Sequence, residues 1–309
     1  MTRWAGRGIG AAAALVLLAL AAGPAPAQEF VGIGVCEGCH DDMVASWRAT
    51  PHGRLFLHAP RTPVEARACE ACHGPGSAHV SDATNPVSKD ASAARIDLRL
   101  LVAFTPRSPL SPAAKSRACL ACHDRGAQRA WAASPHEAAG LACTDCHQIM
   151  RRASARGLLK APDELALCGR CHVAPRAQIE RTAHMPVREG KMRCTSCHNP
   201  HGSPTDKLIA APSVNAKCVE CHADKRGPFL HEHPPVSDNC LRCHAAHGSP
   251  HARMLTHKMP FLCLQCHTNP ATLHRIERAR DRFVFNRGCA NCHSRIHGSN
   301  HPAGARFFR

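Results

Sequence analysis

Twenty cysteines and ten of the 24 histidines in this 309-residue chain fall into one arrangement, Cys-x-x-Cys-His, which recurs ten times. The sets are Cys36, Cys39 and His40; Cys69, Cys72 and His73; Cys119, Cys122 and His123; Cys143, Cys146 and His147; Cys168, Cys171 and His172; Cys194, Cys197 and His198; Cys218, Cys221 and His222; Cys240, Cys243 and His244; Cys263, Cys266 and His267; Cys289, Cys292 and His293. Positions i, i+3 and i+4 of one helical turn share a face, so each set turns two thiols and an imidazole toward the same object. A disulfide framework would use the cysteines but has no need of a histidine after every pair. Zinc ribbons pair two Cys-x-x-Cys knuckles and do not require that histidine either. Two thioethers to porphyrin vinyl groups and one imidazole on the iron use all three groups, so the pattern reads as covalent haem c attachment, ten times over.

A six-coordinate haem iron takes a second axial ligand, and fourteen histidines remain. From Cys119 onward the motifs start 22 to 26 residues apart, and the repeat is clearer in pairs: HMPVREGKMRCTSCHNPHGSP (184–204) matches HPPVSDNCLRCHAAHGSP (233–250). Each pair has a motif, a linker histidine, a second motif and a histidine in a His-Gly-Ser turn. The linker class is His52, His136, His184, His233 and His274. The class after a motif is His201, His247 and His297, with His79 in CHGPGSAHV as a longer variant. Glycine after three of these histidines lets the chain turn back toward a neighbouring haem. His301 is the tenth candidate, and His257 is the closest substitute for it or for His274. His58, His231 and His251 read as solvated or propionate-contacting. Met150 stands three residues after His147, the offset of His201 and His247 from their own motifs. Either it ligates that fourth haem, or it packs on the porphyrin while His136 or His257 completes the site.

The elements needed to hold these groups are modest. A helical turn at each motif, irregular linkers and almost no sheet are expected, in an elongated haem wire built from two-haem units. Residues 28–83 form the first unit. The Pro-, Ser- and Ala-rich stretch 84–118 reads as a linking surface loop, and 119–309 hold four further units. The chain has no tyrosine, three tryptophans and nine phenylalanines against 21 glycines and 24 prolines, so it has little apolar area to bury. Ten porphyrins would supply the interior instead. Residues 1–27 carry Arg3 and Arg7, an apolar run from Ile9 to Ala22, and Ala25-Pro26-Ala27. They read as a cleaved Sec signal peptide that sends the remainder to the periplasm. The run is too short to span a bilayer comfortably, and no later stretch is long and apolar enough.

Without the leader, 37 basic residues face 23 acidic ones. Twenty propionates and a charge of +1 on each ferric core would bring the loaded protein to about +4 oxidised and about −6 reduced. The basic residues therefore serve mainly the propionates, with a remainder for docking partners. Nucleic acid is not expected, since there is no recognition motif and no aromatic platform.

With ten such motifs in an exported chain of this length, CHGPGSAHV, and CANCHSRIHGSNHPAG near the end, the sequence resembles the periplasmic decahaem cytochromes of the DmsE/MtrA type. The resemblance implies haems with two histidine ligands arranged as an electron wire. It also implies association with the outer membrane, as a monomer within a hetero-complex. Its partners would be a porin-like outer-membrane β-barrel and cytochromes at the cell surface and on the periplasmic or inner-membrane side. The departure from the family pattern is CHQIM, with Met150 where a histidine is expected. A freely diffusing periplasmic shuttle is a second reading. A multihaem reductase is a third, but there is no Cys-x-x-Cys-Lys variant and no tyrosine to crosslink a catalytic haem. The surplus of histidine also suffices to close every iron.

The attachment chemistry makes a direct prediction. The purified protein should exceed the mass of residues 28–309 by ten haems and leave no thiol free to alkylate. Intact-mass spectrometry showing zinc, or fewer than half the haems, would refute it.

Overall fold

The computed structural model describes residues 28–84, 97–268 and 288–308. The expected leader, residues 85–96 of the expected loop, and His274 lie outside them. Contacts divide the chain into two compact units, Met1–Ala118 and Cys119–Arg309.

Both units are built from short pieces. Among the described residues the longest helix, Pro112–Leu120, has nine residues. Helices of this length do not persist alone in water, so local chemistry must start and stop them. Thr50, Ser134, Asp163 and Ser213 each accept a hydrogen bond from the backbone N–H three residues on, at 2.7–3.1 Å, which satisfies one orphan donor of the first turn. Proline at the start of Pro51–His58, Pro135–Ala138 and Pro234–Asp238 presets φ where no N–H is needed. The sheet is a single antiparallel pair, β1 (Ala183–His184) and β2 (Gly248–Ser249), in the register Ala183 to Ser249 and His184 to Gly248.

The interior is not an apolar core. The largest fully buried side chains among the described residues are Thr50, Ser116, Ser134 and Ser249. Buried apolar residues are few and scattered, and four are alanines: Ala68, Ala103, Ala142 and Ala161. Protein cores normally bury Leu, Ile, Phe and Met. A chain lacking that payload folds stably only around something else that fills the interior.

In the first unit a buried carboxylate does part of the joining. Glu70, inside the CEACH motif, accepts the N–H groups of Val31 (2.9 Å), Gly32 (2.9 Å) and Gly76 (2.8 Å). The segment at residues 31–32 is thereby fixed to the second motif. The expected surface loop also differs where it is described. Val102 donates its N–H to His73 O at 2.9 Å, and Ala103, Ser108 and Ser116 are buried. Val102 and Phe104 pack against the second motif, where Val102 O accepts from His73 Nδ1 and Phe104 stands edge-on to its ring.

Glu70→Gln should weaken this junction. The amide has one acceptor oxygen for three donors and turns an N–H₂ toward one of them, a loss of about 2 kcal/mol for hydrogen bonds to a charged group. Hydrogen exchange should accelerate at Val31, Gly32 and Gly76 while residues 119–309 keep their protection.

Candidate haem sites

Every motif closes one helical turn. In all ten, the histidine N–H donates to the carbonyl of the first cysteine at 2.9–3.1 Å, from His40 on Cys36 to His293 on Cys289. The two thiols and the imidazole therefore share a face at each site, as attachment requires.

The motifs nevertheless fall into two kinds. In the first motif of each pair, His40, His123, His172, His222 and His267 are exposed. In the second, the chain returns to clasp the histidine. His147 Nδ1 reaches Gly157 O at 2.6 Å, His198 Nδ1 reaches Lys207 O at 2.7 Å and His244 Nδ1 reaches Arg253 O at 2.9 Å. His73 has Val102 O at 2.9 Å, and His293 has Arg306 O at 2.5 Å. A carbonyl only accepts, so Nδ1 carries the proton and Nε2 keeps a free lone pair. Three of the clasps share one backbone form. Gly157–Leu158, Lys207–Leu208 and Arg253–Met254 are consecutive residues at positive φ between 48° and 66°, which costs about 1 kcal/mol or more for each non-glycine residue. Ladder bonds offset that cost: Gln148, Asn199 and Ala245 donate their N–H groups to Leu158, Leu208 and Met254 O at 2.6–2.8 Å.

Six motif histidines each face one of the expected second histidines. His40 and His79 have ring centroids 6.3 Å apart, His147 and His201 6.1 Å, and His198 and His247 6.1 Å. His267 and His233 are 6.4 Å apart, and His244 and His297 6.2 Å. In these five pairs the rings lie within 22° of parallel. His172 and His136 are 6.0 Å apart but inclined at 81°. Two metal–imidazole bonds of about 2.0 Å on opposite sides of one ion, plus about 1.1 Å from each nitrogen to its ring centre, put the centroids about 6.2 Å apart. The spacing therefore fits an iron between two imidazoles. Burial, aided by the facing histidine, holds His79, His201, His233 and His247 below the usual histidine range. Burial lowers His297 in the same way. All five are neutral near pH 7, the form that binds a metal. His201 Nδ1 and the neighbouring Trp131 Nε1 are buried without a protein partner, so a polar group from outside the chain suits them.

The His-Gly-Ser turns reach these positions by docking on earlier linkers. A Cβ on Gly202 would lie 2.1 Å from Ala130 O, on Gly248 2.1 Å from Gln178 O, and on Gly298 2.1 Å from Phe229 Cδ2. All three have φ between 126° and 156°. Each turn thus sits against the segment just before a linker histidine, where His136 Nδ1 donates to Pro200 O, β1 pairs with β2, and His231 bridges to Ser299. Exchange is two-way: His136 faces forward to the following pair of motifs, and His201 faces back to the preceding one.

The cysteines fall into a continuous order. First thiols meet within a pair: Cys36 with Cys69, Cys168 with Cys194, Cys218 with Cys240 and Cys263 with Cys289 are hydrogen-bonded. Between pairs, second thiols lie near enough to act on one another electrostatically, as Cys171 on Cys146, Cys221 on Cys197 and Cys266 on Cys243. Burial, with the neighbouring thiol, pushes Cys69, Cys218 and Cys263 up to about 11. These thiols stand where thioether sulfurs stand once haem is attached.

Other expected ligands are placed differently. His147 faces His201, so neither Met150, His136 nor His257 occupies that side of the fourth motif; His136 faces His172, and Gln265 Nε2 bonds His257 Nδ1 at 2.9 Å. The match of Met150 to the His201 offset misleads because that offset places a side chain over an earlier pair of motifs, not over its own. His184 donates from Nδ1 to Arg181 O and from Nε2 to Glu189 at 3.0 Å. That bond raises His184's proton affinity and holds Glu189 down at about 2. His301 Nδ1 accepts the Ala303 N–H, and His52 packs edge-on to Phe56. The carbonyl clasps were not read from the sequence. A recurrent signal exists only in ThrAspLysLeuIle (205–209) and HisAlaArgMetLeu (251–255), two unlike strings with one backbone shape.

Comparison with known proteins agrees with this arrangement. A family model for the doubled CXXCH motif matches residues 184–227 and 233–272. The multiheme cytochrome MtrA of Shewanella baltica (strain OS185) is 34% identical over 284 residues, 88% of this chain and 80% of that protein. Covalently bound haem c is the cofactor of these motifs, and twenty cysteines fit about ten groups.

His201→Met should therefore raise the potential of the haem at Cys143–Cys146, since methionine is the weaker donor to ferric iron. Near-infrared His/Met charge-transfer bands should appear for one haem. Met150→Ala should leave the wild-type spectrum unchanged. Gly202→Ala, unable to dock against Ala130, should convert that one haem to high spin; an unaltered low-spin spectrum would contradict the pairing.

Proposed function

The chain belongs to the MtrA-type multihaem c-type cytochromes, and on that premise we propose that it relays electrons through the periplasm between inner-membrane or periplasmic carriers and the outer membrane. Haem supplies one-electron exchange between ferric and ferrous iron. The ten motif histidines would each hold one iron, and His79, His136, His201, His233, His247 and His297, which face six of them, would supply the second ligand there. His184 completes His222 by the repeat: it precedes His222 by 38 residues, as His136 precedes His172 by 36 and His233 precedes His267 by 34. Glu189 must then release it. His52, His274 and His301 are proposed for the remaining sites.

The observation that carries the reading is the order of the sulfurs. From Cys146 to Cys171, from Cys168 to Cys194, and so on to Cys263 and Cys289, successive motifs from the fourth to the tenth bring their thiols near enough to act on one another electrostatically. Attachment points in unbroken succession serve transport along the chain. A catalytic haem requires an iron with an open position, and the paired histidines close theirs, which favours a carrier over a reductase.

No helix among the described residues is long and apolar enough to cross a membrane. A conduit to the cell exterior would therefore need a closed β-barrel around it, whose backbone bonds are satisfied within the barrel. We propose a porin-like barrel as that partner, with a cell-surface cytochrome beyond it.

Liposomes enclosing a redox dye test the proposal. The cytochrome reconstituted with its barrel should pass electrons from an external reductant to the dye, and either component alone should not. If no barrel co-purifies, or the pair passes no electrons, a soluble shuttle replaces the conduit.

A further inference from the structure

The two kinds of motif differ in a property that bears on the energy of each electron site. His147, His198 and His244 give their Nδ1 protons to Gly157, Lys207 and Arg253 carbonyls, and all three are partly buried. His172, His222 and His267 alternate with them along the chain and are exposed, without such a returning turn over them. A metal-bound imidazole that donates its second N–H to a fixed carbonyl becomes a stronger base. A stronger donor stabilises ferric iron over ferrous and lowers the reduction potential.

The acceptors are delivered by an unusual backbone. Three turns of unlike sequence place two consecutive left-handed residues at the same point, and in two of them neither residue is glycine. Backbone held in a sparsely populated region at a recurrent place points to a role for that conformation. The position is held from both sides: Ser203 and Thr205 hydroxyls donate to Ile209 O, and Ser249 donates to Leu255 O. Lys160, Ala210 and Thr256 donate back to Cys146, Cys197 and Cys243 O.

We propose that these turns are potential-setting elements. Each fixes a carbonyl on the proximal histidine of the second motif in its pair, so every second haem in the array from Cys143 to Cys266 is harder to reduce than its neighbours. Residues 157–158, 207–208 and 253–254 are positioning residues acting through the histidine. The inference rests on haem attachment to these motifs and not on where the electrons go, so failure of the barrel experiment would leave it standing.

The test compares Leu208→Pro with Leu208→Gly in the haem-loaded full chain. Both remove the same side chain. Proline fixes its own φ at about −65° and drives residue 207 to extended backbone, so the left-handed pair cannot form. Glycine retains it. In a stepwise reduction followed by EPR, one haem of Leu208→Pro should be easier to reduce than in Leu208→Gly, by about tenfold in equilibrium constant, or about 59 mV for one electron. The ferric g-values of that haem should shift with it. Identical reduction in the two variants would overturn the proposal. If Leu208→Pro fails to mature, the wild-type protein decides. By NMR assignment, the haems of His147, His198 and His244 should be reduced after those of His172, His222 and His267; a reversed or mixed order would overturn it.

Discussion

The fold depends on a gap of fixed width. Six pairs of imidazoles are held with centroids 6.0–6.4 Å apart, the separation that a metal ion bonded to both would set. A metal bonded to both would close that gap. Apolar packing adds little beside this, because among the described residues the largest fully buried side chains are a threonine and three serines. Most of the stability that another chain draws from a core must here come from cofactor binding. Folding and loading are then one process, as in other small metal-organised domains. The capped turns and carbonyl clasps bring ligands into range, and the bond to iron holds them.

This division of labour explains what could be read in advance. The motifs were legible because covalent attachment fixes residue type and spacing within five residues. The histidines that stand opposite six of the motifs were also legible, since a histidine beyond those of the motifs needs a use and a close approach needs glycine. Gly202, Gly248 and Gly298 each leave no room for a Cβ at 2.1 Å. The pairing itself was not. His201 faces a histidine 54 residues earlier, and His136 one 36 residues later. Nothing local marks such distances, so Met150, which copies the local offset, suggested a ligand that His201 displaces.

The backbone acceptors were hidden for a different reason. A carbonyl has no residue type. Lys207 and Arg253 occupy equivalent left-handed positions, yet neither favours that conformation. What selects it is the set of hydrogen bonds around the turn, from Ser203 and Thr205 in one case and Ser249 in the other. His184 shows the limit from the other side. Its place in the repeat was clear, whereas its bond to Glu189 was not, since the counterpart carboxylate in the matching segment, Asp238, is taken by Arg242 instead.

Two-way exchange between successive motif pairs also constrains how such a chain can change in length. At each junction one histidine reaches forward and one reaches back, as His136 and His201 do, and then His233 and His297 around the last pair. Duplicating a whole pair together with its linker and its His-Gly-Ser turn would reproduce the junction and leave no imidazole unmatched. Removing a single motif would strand partners on both sides. Arrays of this design can grow or shrink by recombination only in steps of two, and their natural length variants should differ by even numbers of attachment motifs.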